Sequence, residues 1–378
     1  MSQRNLTMFS CNKIKLGIFC SNSSGGLAAT KVPERWDASW ENNLKLARMA
    51  DDMGIECLVP VGRWKGYGGE TDFQNSSFET ITWAAGLLAQ TNAITIFGTV
   101  HVPTIHPVLA AKQCVTVDHL SRGRFGLNIV CGWNQDEFDM FGIRQYDHDR
   151  RYQQGQEWWD VIKRIWSGEG PFDHNGEFFK LSGVVGSPLP WGGARPVMMN
   201  AGSSPAGRGF AARNSDFHFD QAFFLEQAPG QIRETRRLAN SYKHDIQVFT
   251  SGYVVCRPTQ KEAEDYVHYF AVEQADSDAV DRLLELSLGS EGSKSMSAEV
   301  ARVARERVAA GYGGLPLVGD PDRVALEFKK FVDLGFNGVA FGLVNYLDEL
   351  PYFHQEVIPR LEKLGLREPV KPFDELHS

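Results

Sequence analysis

The sequence predicts an α/β fold, one TIM (β/α)8 barrel spanning residues 1–378 with insertions at its C-terminal mouth. Three observations predict it. Short apolar, strand-like runs alternate with helix-like runs along the chain, the pattern of repeated βα units around a parallel sheet. The strand-like runs number eight, the count that closes such a barrel. The 378 residues, 42% hydrophobic and 23% charged, suffice for one large core, and α/β barrels commonly exceed the length at which other chains divide into domains.

Residues 15–19 are the first predicted strand and residues 40–53 (WENNLKLARMADDM) the first helix, with Leu44, Ala47, Met49 and Ala50 near helical spacing and Gly54 as its stop. Residues 57–61 are strand two, 78–90 helix two, 93–99 strand three and 107–120 helix three, whose Pro107 sits where a missing N–H is tolerated. The fourth strand is 125–130 (FGLNIV), entered through Arg122-Gly123-Arg124, and the fourth helix runs over 152–166. Strands follow at 196–200, 217–219 and 247–255, with helices at 205–214 and 229–242 between them. A final unit has a helix at 321–334, a strand at 338–341 and a closing helix at 350–364. Two stretches depart from simple βα units and predict loops over the mouth: residues 22–27 (NSSGGL), and residues 284–319, rich in Ser and Gly, which predict a mobile lid insertion.

Composition excludes several function classes. A formal charge of −8 argues against nucleic-acid or anionic-membrane partners, either of which requires clustered Lys and Arg. Cys11, Cys20, Cys57, Cys114, Cys131 and Cys256 lack CxxC spacing and predict reduced thiols in a cytoplasmic enzyme. No segment approaches the roughly twenty apolar residues needed to cross a bilayer. Asp72, Glu79, Glu137 and Asp139 show no metal-ligand spacing, so no metal site is expected.

In an α/β barrel the chemistry sits where strands end. Strand two ends in Val61-Gly62-Arg63, strand three in Thr99-Val100-His101, strand four in Asn128 with Trp133 beyond, and strand five in Asn200-Ala201-Gly202-Ser203-Ser204. Asn128 is an amide within an apolar strand; it either satisfies nearby backbone or points at something bound. His101 reads either as a satisfied core histidine or as a catalytic group facing the mouth. The AGSSP run opens a helix whose unpaired N–H groups suit an anion, although a plain N-cap is the simpler reading of Gly-Ser-Ser in isolation. Arg151 and Tyr152 offer a forked donor and a hydroxyl for a phosphate; the alternative is a solvated ion-pair cluster with Asp147 and Asp149. Trp64, Lys65 and Tyr67 of RWKGYGG, with Trp133, face a substrate or form ordinary mouth surface.

The run G-R-x-x-x-N-x-V-x-G at 123–132, the acidic Glu137 and H-D-x-R-Y at 148–152 together resemble the bacterial luciferase-like flavin-dependent monooxygenases, most closely their pyrimidine oxygenase and FMNH2-dependent dimethylsulfone monooxygenase members. The resemblance implies FMN bound as FMNH2, O2 as co-substrate, and NAD(P)H used only by a separate flavin reductase. The lack of a GxGxxG fingerprint after a strand agrees with that division. It further implies oxygenation, through a flavin peroxide, of a small heteroatom compound such as a pyrimidine-like ring, a sulfone or a sulfonate. Carried across residue by residue, it places flavin contacts on Gly62, Arg63, Asn128, Glu137, Arg151, Tyr152 and Ser204 with Ser203 beside it; the Gly62–Arg63 pair is not the one pyrimidine oxygenases carry. Asn128 and Thr99 are suited to hydrogen-bond the reduced ring, and His101 is the third catalytic candidate. A homodimer or homotetramer is the expected assembly. A deazaflavin (F420)-dependent oxidoreductase, a non-catalytic flavin-binding protein and a flavin-free barrel enzyme stand as alternatives.

Overall fold

The computed structural model describes residues 6–221, 225–295 and 297–369. Its strands are β1 (Lys15–Phe19), β2 (Cys57–Val59), β3 (Thr95–His101), β4 (Phe125–Val130), β5 (Phe172–Asn175), β6 (Lys180–Val184), β7 (Val197–Asn200), β8 (Phe217–Phe219), β9 (Gln247–Cys256), β10 (Leu315–Gly319) and β11 (Gly338–Gly342). Eight of them run parallel in the order β11-β1-β2-β3-β4-β7-β8-β9, and β9 pairs back with β11 to close the barrel. The first part of β9 pairs with β8; its last five residues pair with β10, from Gly252↔Leu315 to Cys256↔Gly319, which raises the wall at the mouth end. β5 and β6 form a separate antiparallel hairpin.

Helices α1 (Trp40–Asp52), α2 (Thr80–Leu88) and α3 (Pro107–Leu120) follow the first three strands, and α4 (Gln135–Met140) and α5 (His148–Ser167) follow β4. Next come α6 (Pro205–Asn214) and α7 (Ala228–Ser241), then α8 (Gln260–His268), α9 (Ser277–Ser295) and α10 (Ala298–Gly311) between β9 and β10. The chain closes with α11 (Pro321–Leu334), α12 (Tyr346–Glu356) and α13 (Ile358–Lys363). No helix among the described residues is long and apolar enough to cross a membrane.

Strand alternation divides the apolar residues into two layers. Phe97, Met199, Phe217, Phe219 and Phe249 pack in one cluster, which Leu6 and Met8 from the N-terminal segment join, while Leu16, Leu58, Leu127 and Val339 pack with the helices. Rings fill the barrel only where the neighbouring strand gives way: a Cβ on Gly338 would lie 2.2 Å from the Phe249 ring, and one on Gly126 2.5 Å from Phe97. Below them Glu56 and Arg367 form an ion pair with both side chains 2% exposed, tying the segment after α13 beneath the barrel.

All eight expected barrel strands are present, and the predicted bounds of β1, β4, β8, α3, α6 and α11 coincide with the observed ones. Strand two stops at Val59, since Pro60 has no N–H for a ladder. The closing helix is two helices, broken at Val357 ahead of Pro359, whose ring and missing N–H disfavour its continuation. The largest difference is residues 284–319, read as a loop from their Ser and Gly content. They complete α9 and supply α10 and β10. Ala279, Val280, Leu283 and Leu284 on α9 pack with Ala304, Val308, Phe270 and Tyr253 in a satellite core, so burial overrides weak helix propensity. The sequence reading also missed α4, α8 and the β5–β6 hairpin.

Candidate active site

A cavity of about 530 Å³ opens at the C-terminal ends of the barrel strands, and three groups of side chains organise it. The first group comes from β3 and β4. Thr99 and Asn128 are register partners, so their side chains meet on the same face. Asn128 Nδ2 donates to Thr99 Oγ1 at 3.1 Å, and Thr99 Oγ1 donates to the Pro60 carbonyl at 2.7 Å. Because that carbonyl can only accept, the single hydroxyl proton is committed to it, and Thr99 must accept from Asn128. The amide orientation follows: Asn128 Oδ1 is the free end, buried and without a partner among the described residues. His101 lies two residues beyond Thr99 on the same face and also lines the cavity. Burial pushes its imidazole down to about 4, so it is neutral at physiological pH. A Cβ on Gly62 would come within 3.1 Å of His101 and 3.3 Å of Thr99.

The second group lies around the loop after β7 and the starts of α5 and α6. Asn200 holds the loop after β7, donating to Ile129 O at 2.7 Å and accepting from Gly202 N at 3.1 Å. Ser204 caps α6 by accepting from Gly207 N at 3.1 Å, so the plain N-cap reading is correct for its hydroxyl. Tyr152 packs its hydroxyl between two glycines: a Cβ on Gly202 or Gly207 would lie 2.7 or 2.5 Å from Tyr152 Oη. Burial pushes that hydroxyl up to about 12, keeping it protonated. Arg151 donates through Nη1 to the Gly132 carbonyl, while its buried Nε has no partner. The alternative reading, an ion-pair cluster with the nearby acids, does not form around Arg151. Asp147 caps α5 on Arg150 N at 3.0 Å and Asp149 contacts His148 at 3.1 Å, so Arg151 has no carboxylate partner among the described residues.

The third group surrounds Arg63, which lines the cavity. Arg63 Nη1 meets Glu137 Oε1 at 2.8 Å with both side chains 1% exposed; Nε donates to Gln74 at 3.3 Å and Nη2 to Tyr312 Oη at 2.8 Å. Burial opposes charge on this guanidinium, but its anionic partner Glu137 and the acceptor oxygen of Tyr312 keep it charged and its pKa raised. Glu137 Oε1 also accepts from Trp64 N at 2.9 Å. Glu137 therefore stands behind the wall, anchoring Arg63 and its loop, and does not line the cavity.

Of the sequence-predicted site residues, Asn128, Thr99, His101, Gly62, Arg63, Arg151, Tyr152, Ser203, Ser204 and Trp133 all line this cavity. Trp64, Lys65 and Tyr67 do not. Trp64 is 40% exposed against Phe141, Lys65 reaches Asp136 at 3.9 Å, and Tyr67 is buried behind Arg63 at 4.7 Å from its guanidinium. Leu283, Leu284, Leu288 and Tyr312 line the cavity but went unpredicted, as did His148. Tyr312 meets Arg63 across 249 positions of sequence, a separation that leaves no local signal.

Residues 14–338 match the luciferase-like monooxygenase family. The FMNH2-dependent dimethylsulfone monooxygenase of Pseudomonas fluorescens (strain Pf0-1) is 30% identical over 355 residues, covering 93% of this chain and 95% of its own. The pyrimidine monooxygenase RutA of Acinetobacter baylyi is 25% identical over 371 residues, covering 96% of this chain and 99% of its own. In fold, the crystal structure of DmoA from Hyphomicrobium sulfonivorans gives a TM-score of 0.83 at 20% identity, over 96% of this chain and 90% of that one. Barrel, mouth cavity and a match running nearly end to end agree: this chain belongs to the luciferase-like monooxygenase family.

Proposed function

We propose that this chain is the oxygenase of a two-component system. It takes FMNH2 from a separate flavin reductase and, with O2, oxidises a small heteroatom compound such as a pyrimidine-like ring, a sulfone or a sulfonate. The two relatives described above act, by name, on dimethylsulfone and on pyrimidines, and the first is FMNH2-dependent. One observation carries the reading: a single cavity holds a buried amide oxygen with no partner and a half-buried arginine that has no carboxylate and whose Nε is buried without a partner. The amide oxygen suits an N–H of a reduced isoalloxazine, which has more such donors than the oxidised ring, and the arginine suits a terminal phosphate.

Bound there, reduced FMN supplies the two electrons for O2 activation. The protein's part is positioning and exclusion. Asn128 and Thr99 hold the ring edge, Gly62 leaves room beside it, and the neutral His101 accepts or returns a proton within the cavity. Arg151, Tyr152, Ser203 and Ser204 hold the phosphate end. Leu283, Leu284 and Leu288 keep water from the reacting face. Anaerobic titration with FMNH2, followed by O2 with a generic flavin reductase, tests the reading. Expected are saturable FMNH2 binding, tighter than FMN, and O2-dependent consumption of dimethylsulfone or uracil. Absence of FMNH2 binding sinks it. Assembly into a dimer or tetramer belongs to the same reading, and sedimentation equilibrium measures it.

The helices α9 and α10 are read as the lid of this site. They carry one cavity wall, and Arg282 ties α9 to Asp136 of α4 at 2.6 Å through a half-exposed pair that can open at modest cost. Proteolysis between residues 287 and 314 is expected to slow severalfold on saturation with FMNH2 under anaerobic conditions. Cleavage at an unchanged rate would remove the lid role.

A further inference from the structure

The two arginines of the cavity differ electrically. Arg151 has no carboxylate partner among the described residues, whereas the Arg63 charge is compensated at 2.8 Å by Glu137, with both groups shut away from solvent. A compensated arginine still offers N–H donors but little net attraction for an anion. Three of the five Arg63 N–H groups are committed, to Gln74, Glu137 and Tyr312. This end of the cavity is therefore rich in donors and close to neutral.

Tyr312 is the residue that faces inward. It follows α10 in the left-handed conformation, φ +56°, uncommon for a side chain of this size and held by its contacts with Arg63 and Tyr67. Its oxygen accepts from Arg63 Nη2 at 2.8 Å and pairs with the hydroxyl of Tyr67. Two hydroxyl protons are available and the bond between the tyrosines uses one. If Tyr312 donated it, the Tyr67 proton would be left in a buried position with no acceptor among the described residues, at a cost. If Tyr67 donates, its proton has an acceptor, and the Tyr312 proton is free to point into the cavity that Tyr312 lines.

We propose that Tyr312 donates a hydrogen bond to an acceptor oxygen of the substrate, and that the substrate is an uncharged polar molecule of the sulfone or lactam kind, not an anion. This rests on the oxygenase reading of the cavity. An anion at the Arg63 end would lose its hydration and gain little in return from Arg63, whose charge Glu137 already balances at 2.8 Å from behind the wall. An uncharged acceptor loses less on entering and gains the Tyr312 hydroxyl.

Matched pairs of probes test this in calorimetric titrations of the flavin-free protein: dimethylsulfone against methanesulfonate, nearly equal in shape, and uracil against its 6-carboxylate. The uncharged member of at least one pair is expected to bind tenfold tighter or better than its anionic counterpart. Tyr312→Phe should weaken that binding roughly fivefold to tenfold, the scale of one neutral hydrogen bond, while FMN affinity stays within about twofold. Glu137→Gln uncovers the Arg63 charge and should move the preference toward the anion by tenfold or more; if it fails to fold, Tyr312→Phe decides. Equal or tighter binding of the anions, no binding of any of the four, or an unaffected Tyr312→Phe protein overturns the proposal. Failure of the wild type to bind FMNH2 defeats the oxygenase reading instead, and titrations without flavin separate the two results.

Discussion

Arg367→Ala is expected to lower the stability of the fold by about 3–5 kcal/mol, the cost of stripping one partner from a buried ion pair. Arg367 Nη1 meets the two Glu56 oxygens at 2.9 and 2.7 Å and the Ile14 carbonyl at 3.1 Å, and Nη2 donates to Gly54 O at 2.8 Å. Glu56 in turn accepts from Asn12 at 2.6 Å and from Leu16 N at 2.8 Å. Arg367, in the segment after α13, therefore holds the entries to β1 and β2 together, away from the cavity. Removing the guanidinium leaves a carboxylate with 2% exposure and two of its four hydrogen bonds. The double variant Glu56→Leu with Arg367→Met removes both charges and should recover part of the loss, because the unpaired charge is the costly species. Urea denaturation followed by circular dichroism measures both, and FMN affinity of the folded protein should be unchanged. An Arg367→Ala protein within about 1 kcal/mol of wild type would show that water reaches Glu56 and that the pair is not sealed.

The floor pair was invisible in the sequence, as were other contacts between remote residues, while local signals were accurate. Helices α3, α6 and α11 each begin with a capping side chain, from His106, Ser204 and Asp320, followed by Pro107, Pro205 and Pro321 at a position where the missing N–H costs nothing. Those helices were legible to the residue. Thr99 and Asn128 were each legible as residues near the C-terminal end of an apolar strand; that the parallel register sets them side by side and bonds one to the other was not. Residues 284–319 were misread for a physical reason. Ser and Gly favour loops when exposed, but Leu283, Leu284 and Val308 bury against a satellite core that only the folded chain creates. Trp64 and Lys65 were placed toward substrate because they follow a strand end. The loop turns instead on Glu137 Oε1, a partner 73 residues from Trp64.

Arg151→Ala is expected to weaken FMN far more than riboflavin, by about 1.5–3 kcal/mol in the difference, which is the range for hydrogen bonds to charged groups and corresponds to roughly 10- to 150-fold in affinity. The argument rests on what Arg151 lacks. Asp147 and Asp149 lie within four residues of it, yet one caps α5 and the other contacts His148, which leaves the guanidinium charge uncompensated at the cavity edge. A buried Nε with no partner is costly unless a ligand supplies the acceptor. A phosphate does so; riboflavin, which has none, cannot. Arg151→Lys separates charge from shape: it keeps the cation but not the fork, and should fall between wild type and alanine for FMN. Fluorescence titration with each flavin gives both affinities in one experiment. Equal losses for the two flavins would place the phosphate elsewhere, and the Gly132 contact would then be structural, since breaking the loop after β4 would disturb any flavin alike.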